Sequence, residues 1–221
     1  GAMMVRKGLA EAMVAGAITS TANMLRASLK IVKTAPGTKV ASSCFIMSHP
    51  DPGWGAHGQL IFSDCAIIPE PDAEQLSEIA IAAADSCRKY LSSEPVISLL
   101  SYSTKGSARH RLVDKVREAL AIVKQKEPGL LVDGEMQADA SLIPEVCAFK
   151  APDSPVKGKA NVLIFPDLAA GNISYKLVQR LSGVQAYGPL LQGFARPLSD
   201  LSRGCSVQDI VVTSILTMLE A

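Results

Sequence analysis

The chain has 221 residues, 48% of them apolar and 19% charged, which excludes a disordered segment and leaves a globular α/β protein as the default. A net charge of +1 gives no reason to expect nucleic acid or an acidic membrane surface as a partner. The apolar stretches, such as Asn161 to Phe165, are of strand length and too short to cross a bilayer.

Short apolar strands alternate with amphipathic helices from end to end, as in an α/β domain. Gly1-Ala2-Met3 reads as an expression scar, no signal peptide is visible, and Met4 to Ala10 opens mid-pattern, so a start inside a longer protein is expected. Ala12 to Ala17 is expected as a small buried strand, followed by a helix from Thr21 to Lys33 that must stop before Pro36-Gly37. Val40 to Met47 and Gln59 to Ile67 follow as strands around a Pro/Gly-rich loop, His49 to Gly58. Asp72 is a candidate cap for a helix through Tyr90, with Ile79, Ala80, Ala83, Ala84 and Cys87 at helical spacing.

Val96 to Tyr102 is the next strand, and Arg109 to Lys126 a helix with Leu112, Val116, Leu120 and Val123 inward. A strand starts at Leu130, and Ala140 to Phe149 is expected as one helix before the Pro-rich segment Ala151 to Pro155. The remainder predicts a strand over Asn161 to Phe165, a helix over Gly171 to Leu181, a strand over Gly188 to Phe194 and a last helix over Val207 to Leu219. Five cysteines, widely spaced and without a C-x-x-C, point to reduced thiols in a cytoplasm, and the histidines His49, His57 and His110 form no ligand set.

Five segments gather hydroxyls, glycines and cations at element ends, where anions bind. Gly16 to Ala22 runs from a strand into a helix; Ser20 and Thr21 can hold a phosphate or a carbonyl oxygen, with Arg26 one turn on, or simply cap the helix. Ser101 to Ser107 carries Ser103 and Thr104 but lacks the G-x-x-x-x-G-K-[ST] spacing of a nucleotide P-loop. Phe165 to Leu168 precedes Asn172 and Lys176. Gly188 to Gly193 includes Gln192 and Gly193, where glycine lets a ligand approach the backbone. The last segment, Asp200 to Asp209, sets Ser202 and Arg203 in a Gly-containing turn before the final helix. There Ser206-x-x-Asp209 reads equally as a capping box.

Together these segments resemble the phosphate acetyl/butyryltransferase family, also found as a C-terminal module of some malic enzymes. The resemblance rests on MVAGAITSTANMLRASLKIVKT, the SDCA around Cys65, LSYSTKGSARH, VDGEMQADA, ANVLIFPDLAAGNISYKLVQR and YGPLLQGFARPLSDLSRGCSVQDIV. It covers Met4 to Ala221 and lacks the family's N-terminal third.

It implies two α/β domains with a cleft between them, isocitrate/isopropylmalate-dehydrogenase-like, the first formed by residues 1–39 and 160–221 and the second by 40–159. It also implies transfer of an acetyl or other short acyl group between coenzyme A and phosphate, by a homodimer without metal or cofactor. Coenzyme A and acetyl phosphate are then substrates.

By the same resemblance Asp209 is the base for the coenzyme A thiol, and Ser202 and Arg203 contact the reacting groups. Arg26 contacts phosphate or coenzyme, and Cys65 and Cys205 lie near the cleft without acting as nucleophiles. Ser20, Thr21, Ser103, Thr104, Asn172, Lys176, Gln192 and Gly193 are the further candidate substrate contacts.

The chemistry demands such groups. Thiolate attack on an acyl phosphate passes through an oxyanion and expels phosphate, so the site must hold an anion and remove a thiol proton. Guanidinium suits phosphate by its bidentate geometry. An unperturbed carboxyl lies roughly 4.6 pKa units below a thiol, about 6 kcal/mol against the transfer, so Asp209 can serve only where cations or helix N–H groups hold the thiolate. Two other readings compete: a non-catalytic acyl-CoA-sensing module, and a decarboxylating dehydrogenase, which lacks a nicotinamide fingerprint and a metal-binding aspartate cluster. With part of a domain missing, weak coenzyme A binding and little acyl transfer are expected of this chain, together with self-association through an open strand edge.

Overall fold

The computed structural model describes residues 1–221. Met4 to Ala10 contributes to a short helix, α1 (Ala2–Arg6), that the hydrophobic pattern does not mark; it lies on α2 (Thr21–Ile31) beyond strand β1 (Met13–Ala15). Ser20 caps α2 through its hydroxyl, which accepts from the Asn23 amide. The strands β2 (Ser42–Ser48) and β3 (Gln59–Ser63) form an antiparallel hairpin around the 49–58 loop.

Helix α3 (Ala73–Leu91) begins with a full capping box, Asp72 and Gln75 each serving the other's backbone amide. Its predicted face is buried: Ile79, Ala80, Ala83, Ala84 and Cys87 are all at 0% exposure. Strand β4 (Val96–Leu100) and helix α4 (Arg111–Lys126) follow. On α4 the inward face is Val113, Val116, Ala119 and Val123; Leu112 and Leu120 stand to either side. The small Ala119 lets α4 close on the alanine-rich α3, which a leucine there would prevent.

Strand β5 (Leu131–Met136) leads into two helices instead of one, α5 (Ala138–Leu142) and α6 (Pro144–Lys150). Pro144 forces the break: it pushes Ile143 to extended backbone and then starts the second helix at its first position. Strand β6 (Val162–Ile164) precedes α7 (Leu168–Ser182), which starts a turn earlier than its pattern suggests because Asp167 caps it from the Ala170 amide. Gly183, in the left-handed region, ends it. Strands β7 (Gln185–Gln192) and β8 (Leu198–Asp200) and the final helix α8 (Val207–Met218) complete the chain.

All eight strands join one sheet in the order β1-β8-β7-β2-β3-β6-β4-β5. The strands β3, β6, β4 and β5 run parallel, as do β1 and β8, while β2 and β7 make antiparallel joins between the two sets. The sheet places β6 between β3 and β4, so a division at 159/160 would separate neighbouring strands.

Strand alternation sends Ile46, Ile61, Ile97 and Val162 to one face under α3 and α4. Phe45, Phe62, Met136 and Leu163 point to the other, under α7 and the α5–α6 pair. A smaller core joins α1, α2, β7 and β8 through Ala2, Met24, Leu25, Leu191 and Leu198. No helix is long and apolar enough to cross a membrane.

Helix α8 packs Leu216, partly buried, against the main core, but its fully buried positions are polar. Its buried residues are Thr213 and Thr217, while Val207, Ile210, Val211, Ile215 and Met218 are exposed. The Thr217 hydroxyl lies 2.7 Å from Ser199 Oγ on β8 and 2.6 Å from the Thr213 carbonyl.

Candidate active site

The parallel strands β1 and β8 end side by side, with the Leu201 amide donating to the Ala15 carbonyl at 2.7 Å. Two segments leave from that point. From β1, Gly16 to Ser20 leads into α2; from β8, the turn Leu201 to Cys205 leads into α8. Clefts beyond the carboxyl ends of parallel strands are where α/β sheets bind ligands.

The turn after β8 opens on a pocket of about 250 Å³ lined by Ser202, Gly204, Cys205, Asp209, Tyr175, Lys176, Gln179, Arg180, Phe45, Ala186 and Gly188. Its floor is aromatic: the rings of Phe45 and Tyr175 stack with centroids 4.1 Å apart. Its charged lining is two cations, Lys176 and Arg180, against one carboxylate, Asp209, which favours an anion.

Ser202 Oγ accepts from the Gly204 amide at 3.3 Å and keeps its own proton to donate. Asp209 is the third residue of α8 and completes a capping box: its Oδ2 accepts from the Ser206 amide at 2.8 Å, and its amide donates to Ser206 Oγ at 3.1 Å. The other oxygen, Oδ1, makes no hydrogen bond within the chain and is free to take a proton. Capping therefore occupies one carboxylate oxygen and leaves the other unengaged. Arg203 stands exposed in the same turn but does not line the pocket.

The sequence candidates thus divide. Ser202, Asp209, Lys176 and Cys205 come together. Ser20, Thr21 and Arg26 are brought alongside rather than in: Thr21 donates its hydroxyl to Asp200 Oδ2 at 2.5 Å, and Arg26 donates to Asn23 Oδ1 at 3.2 Å on its own helix. Asn172 lies a turn up α7, donating to the Cys65 carbonyl at 3.0 Å. Ser103, Thr104, Gln192 and Gly193 are elsewhere.

Ser103 is fully buried and donates to Glu135 Oε1 at 2.9 Å, while Thr104 Oγ1 exchanges hydrogen bonds with Gln137 at the β5 end of the sheet. Gln192 is spent on Ser42, Ser63 and Ser86, and with Gly193 it borders a different cavity, at the far end of β7. Cys65 is fully buried, and burial pushes its thiol far up. Only Cys205 is exposed to any degree among the five free cysteines.

Arg180, Gln179 and Tyr175 lie outside the residues that the sequence singles out, and Asp200 stands there only as the start of a segment. Gln179 and Arg180 stand three and four residues after Lys176, so helical spacing from that lysine is the signal that would find them.

A dehydrogenase-like α/β fold with an anion-accepting crevice at strand carboxyl ends is thus in place. The 4-hydroxythreonine-4-phosphate dehydrogenase from Klebsiella pneumoniae, 11% identical, shares the fold at a TM-score of 0.58 over 100% of this chain and 68% of that one.

A family model described as phosphate acetyl/butaryl transferase matches residues 1–218, and the chain belongs to that family. It is 54% identical over all of its length to a phosphate acetyltransferase of Acetivibrio thermocellus, covering 67% of that protein. To the phosphate acetyltransferase of Treponema pallidum it is 55% identical, covering 66%. A phosphotransacetylase from Streptococcus pyogenes superimposes with a TM-score of 0.93 at 46% identity, over 99% of this chain and 65% of that one. The chain thus spans about two thirds of the length of the relatives it matches.

Proposed function

We propose that this site transfers an acetyl or other short acyl group between coenzyme A and phosphate. What carries the reading is the convergence of Ser202 and Asp209 with Lys176 and Arg180 on one pocket, with Arg203 in the same turn. The names of the relatives, phosphate acetyltransferases and a phosphotransacetylase, support the same reaction.

In the direction of thioester synthesis, Asp209 Oδ1 takes the thiol proton as sulfur attacks the carbonyl carbon. The sulfur–carbon bond forms, and the carbonyl electrons move onto oxygen, where the Ser202 hydroxyl donates to the developing charge. Collapse breaks the bond to the phosphate oxygen, and phosphate leaves against Lys176 and Arg180, with Arg203 in the adjoining turn, taking up the proton. Both coenzyme A and acetyl phosphate are substrates in this scheme, which calls for no resident cofactor or metal. A cytoplasmic homodimer completes the proposal, and five unpaired cysteines agree with a reducing compartment.

One observation favours a second reading. Asp209 is a working half of a capping box, so the turn would persist in an acyl-CoA-sensing module that does no chemistry. Titrating the protein with coenzyme A by calorimetry, and following thioester formation from acetyl phosphate by absorbance, separates the two. Binding, however weak, with turnover, however slow, that Arg203→Ala abolishes supports the enzyme; binding with no turnover at all supports the sensor; no binding overturns both.

A further inference from the structure

Asp200 is the last residue of β8, 1% exposed, and the mechanism above does not use it. Its Oδ2 accepts the Thr21 hydroxyl across 179 residues of sequence, and its Oδ1 has no hydrogen-bond partner. Burial pushes this carboxyl up, while the Thr21 hydroxyl and the nearby Leu201 amide hold it partly down. Gly16 makes room for it: backbone there sits at φ +120°, and a Cβ would fall 2.0 Å from Asp200 Oδ1 and 2.7 Å from Leu201 N and O.

A buried carboxylate with a vacant oxygen is costly, and it sits at the one point where both arms of the site depart. The residue after next is Ser202, and the turn it begins ends at Cys205, whose amide donates to the Ser202 carbonyl at 3.0 Å. Its partner Thr21 is the first residue of α2, next to Ser20. A threonine has one proton, and Thr21 gives it to Asp200, so its oxygen presents only lone pairs to anything else. That is unsuited to an anion. Ser20 differs, because it accepts from the Asn23 amide and keeps its proton.

We propose that Asp200 is a positioning residue and that the Thr21–Asp200 hydrogen bond ties the start of α2 to the turn carrying Ser202 and Arg203. Thr21 belongs to this tie and not to the substrate contacts. Its consequence for acyl transfer rests on the function proposed above; the tie itself does not.

Cys205 serves as the reporter, because it closes the tied turn and the other four cysteines are buried. Iodoacetamide alkylation is followed site by site by mass spectrometry, with thermal melting in parallel, on Thr21→Val, Thr21→Ser, Asp200→Ala and Thr21→Val/Asp200→Ala. Thr21→Val, which removes the hydroxyl at constant shape and leaves Asp200 without its hydrogen-bond donor, is expected to speed Cys205 alkylation about threefold or more at a labelling temperature well below a melt lowered by several degrees. Thr21→Ser, which restores the hydroxyl, is expected within about twofold of the parent, and the double variant no faster than the quicker single one, as coupled residues require.

Where Asp200→Ala fails to fold, the two Thr21 variants decide alone. Parental alkylation in Thr21→Val, or equal acceleration by Thr21→Val and Thr21→Ser, overturns the tie. Should the tie hold while neither parent nor variants turn over acetyl phosphate, the functional reading fails and the tie stands. With turnover present, a Thr21→Val change in kcat at constant KM for acetyl phosphate is the expected split, and a change confined to KM would make Thr21 a substrate contact and refute the assignment.

Discussion

Replacing Asp209 by asparagine separates the capping role of its carboxylate from the proposed role as base. Asparagine keeps an oxygen that can accept the Ser206 amide, so the capping box survives and only the charge is lost at the helix start. That charge is worth about 0.3–1 kcal/mol next to a helix N-terminus, or about 1–4 °C of melting temperature in a domain of this size. Removing a general base costs about 10²- to 10⁴-fold in rate, roughly 3–5 kcal/mol of barrier.

Catalysis should therefore suffer several times more than stability. Thioester formation from coenzyme A and acetyl phosphate, measured beside a melting curve for parent, Asp209→Asn and Asp209→Ala, gives both numbers on the same preparations. A near-parental rate in Asp209→Asn would reduce Asp209 to a cap. So would a stability loss large enough to account for the missing activity.

Arg203 is exposed, so Arg203→Ala should leave melting unchanged within about 0.5 kcal/mol yet lower turnover by about two orders of magnitude or more; parental turnover would remove it from the site. Iodoacetamide on the native protein should label Cys205 first and inhibit, while Cys205→Ser keeps substantial activity and loses the sensitivity; early labelling of buried Cys65 would contradict the structure. Gly16→Ala should destabilise by about 1–3 kcal/mol or more, since its backbone sits at φ +120° and Asp200 fills the space; a melt within 2 °C of the parent would be inconsistent with that fit.

Burial raises the folded-state pKa of Glu220, whose Oε1 accepts from the Tyr90 hydroxyl. Its stabilising contribution is thus full below the ordinary carboxylate range and is lost as pH rises through the raised value. Glu220→Gln, which can still accept from Tyr90, should remove that part of the pH dependence; an identical stability profile would show the group to be unperturbed.

Fold and site were legible in the sequence to different depths. Helix α3 is nearly complete in its letters, because Asp72, Gln75 and the alanine-rich stripe are local signals. Strand β8 leaves no such local signal: it is three residues long, follows Pro197, and owes its strand character to β1 and β7 on either side.

Within the site, Ser202 and Asp209 are close in sequence, so a turn and a helix suffice to bring them together. Ser103, Thr104 and Gln192 show the opposite limit. A hydroxyl or amide beside glycines looks like an anion ligand, but its partner was a carboxylate 32 residues away in one case and a serine 106 residues away in another. Only the folded chain reveals which polar groups are already spent.

The polar seam beneath α8 has a consequence for where Asp209 sits. A helix resting on leucines can slide along its axis by a fraction of a turn at little cost, since dispersion contacts are non-directional. Thr217 against Ser199 is directional, and it joins the far end of α8 to the residue just before Asp200. One hydroxyl pair thereby works as a detent for the whole helix. Loosening it at Thr217 would let Asp209, more than two turns away, drift along the pocket wall while every residue around the pocket stayed the same.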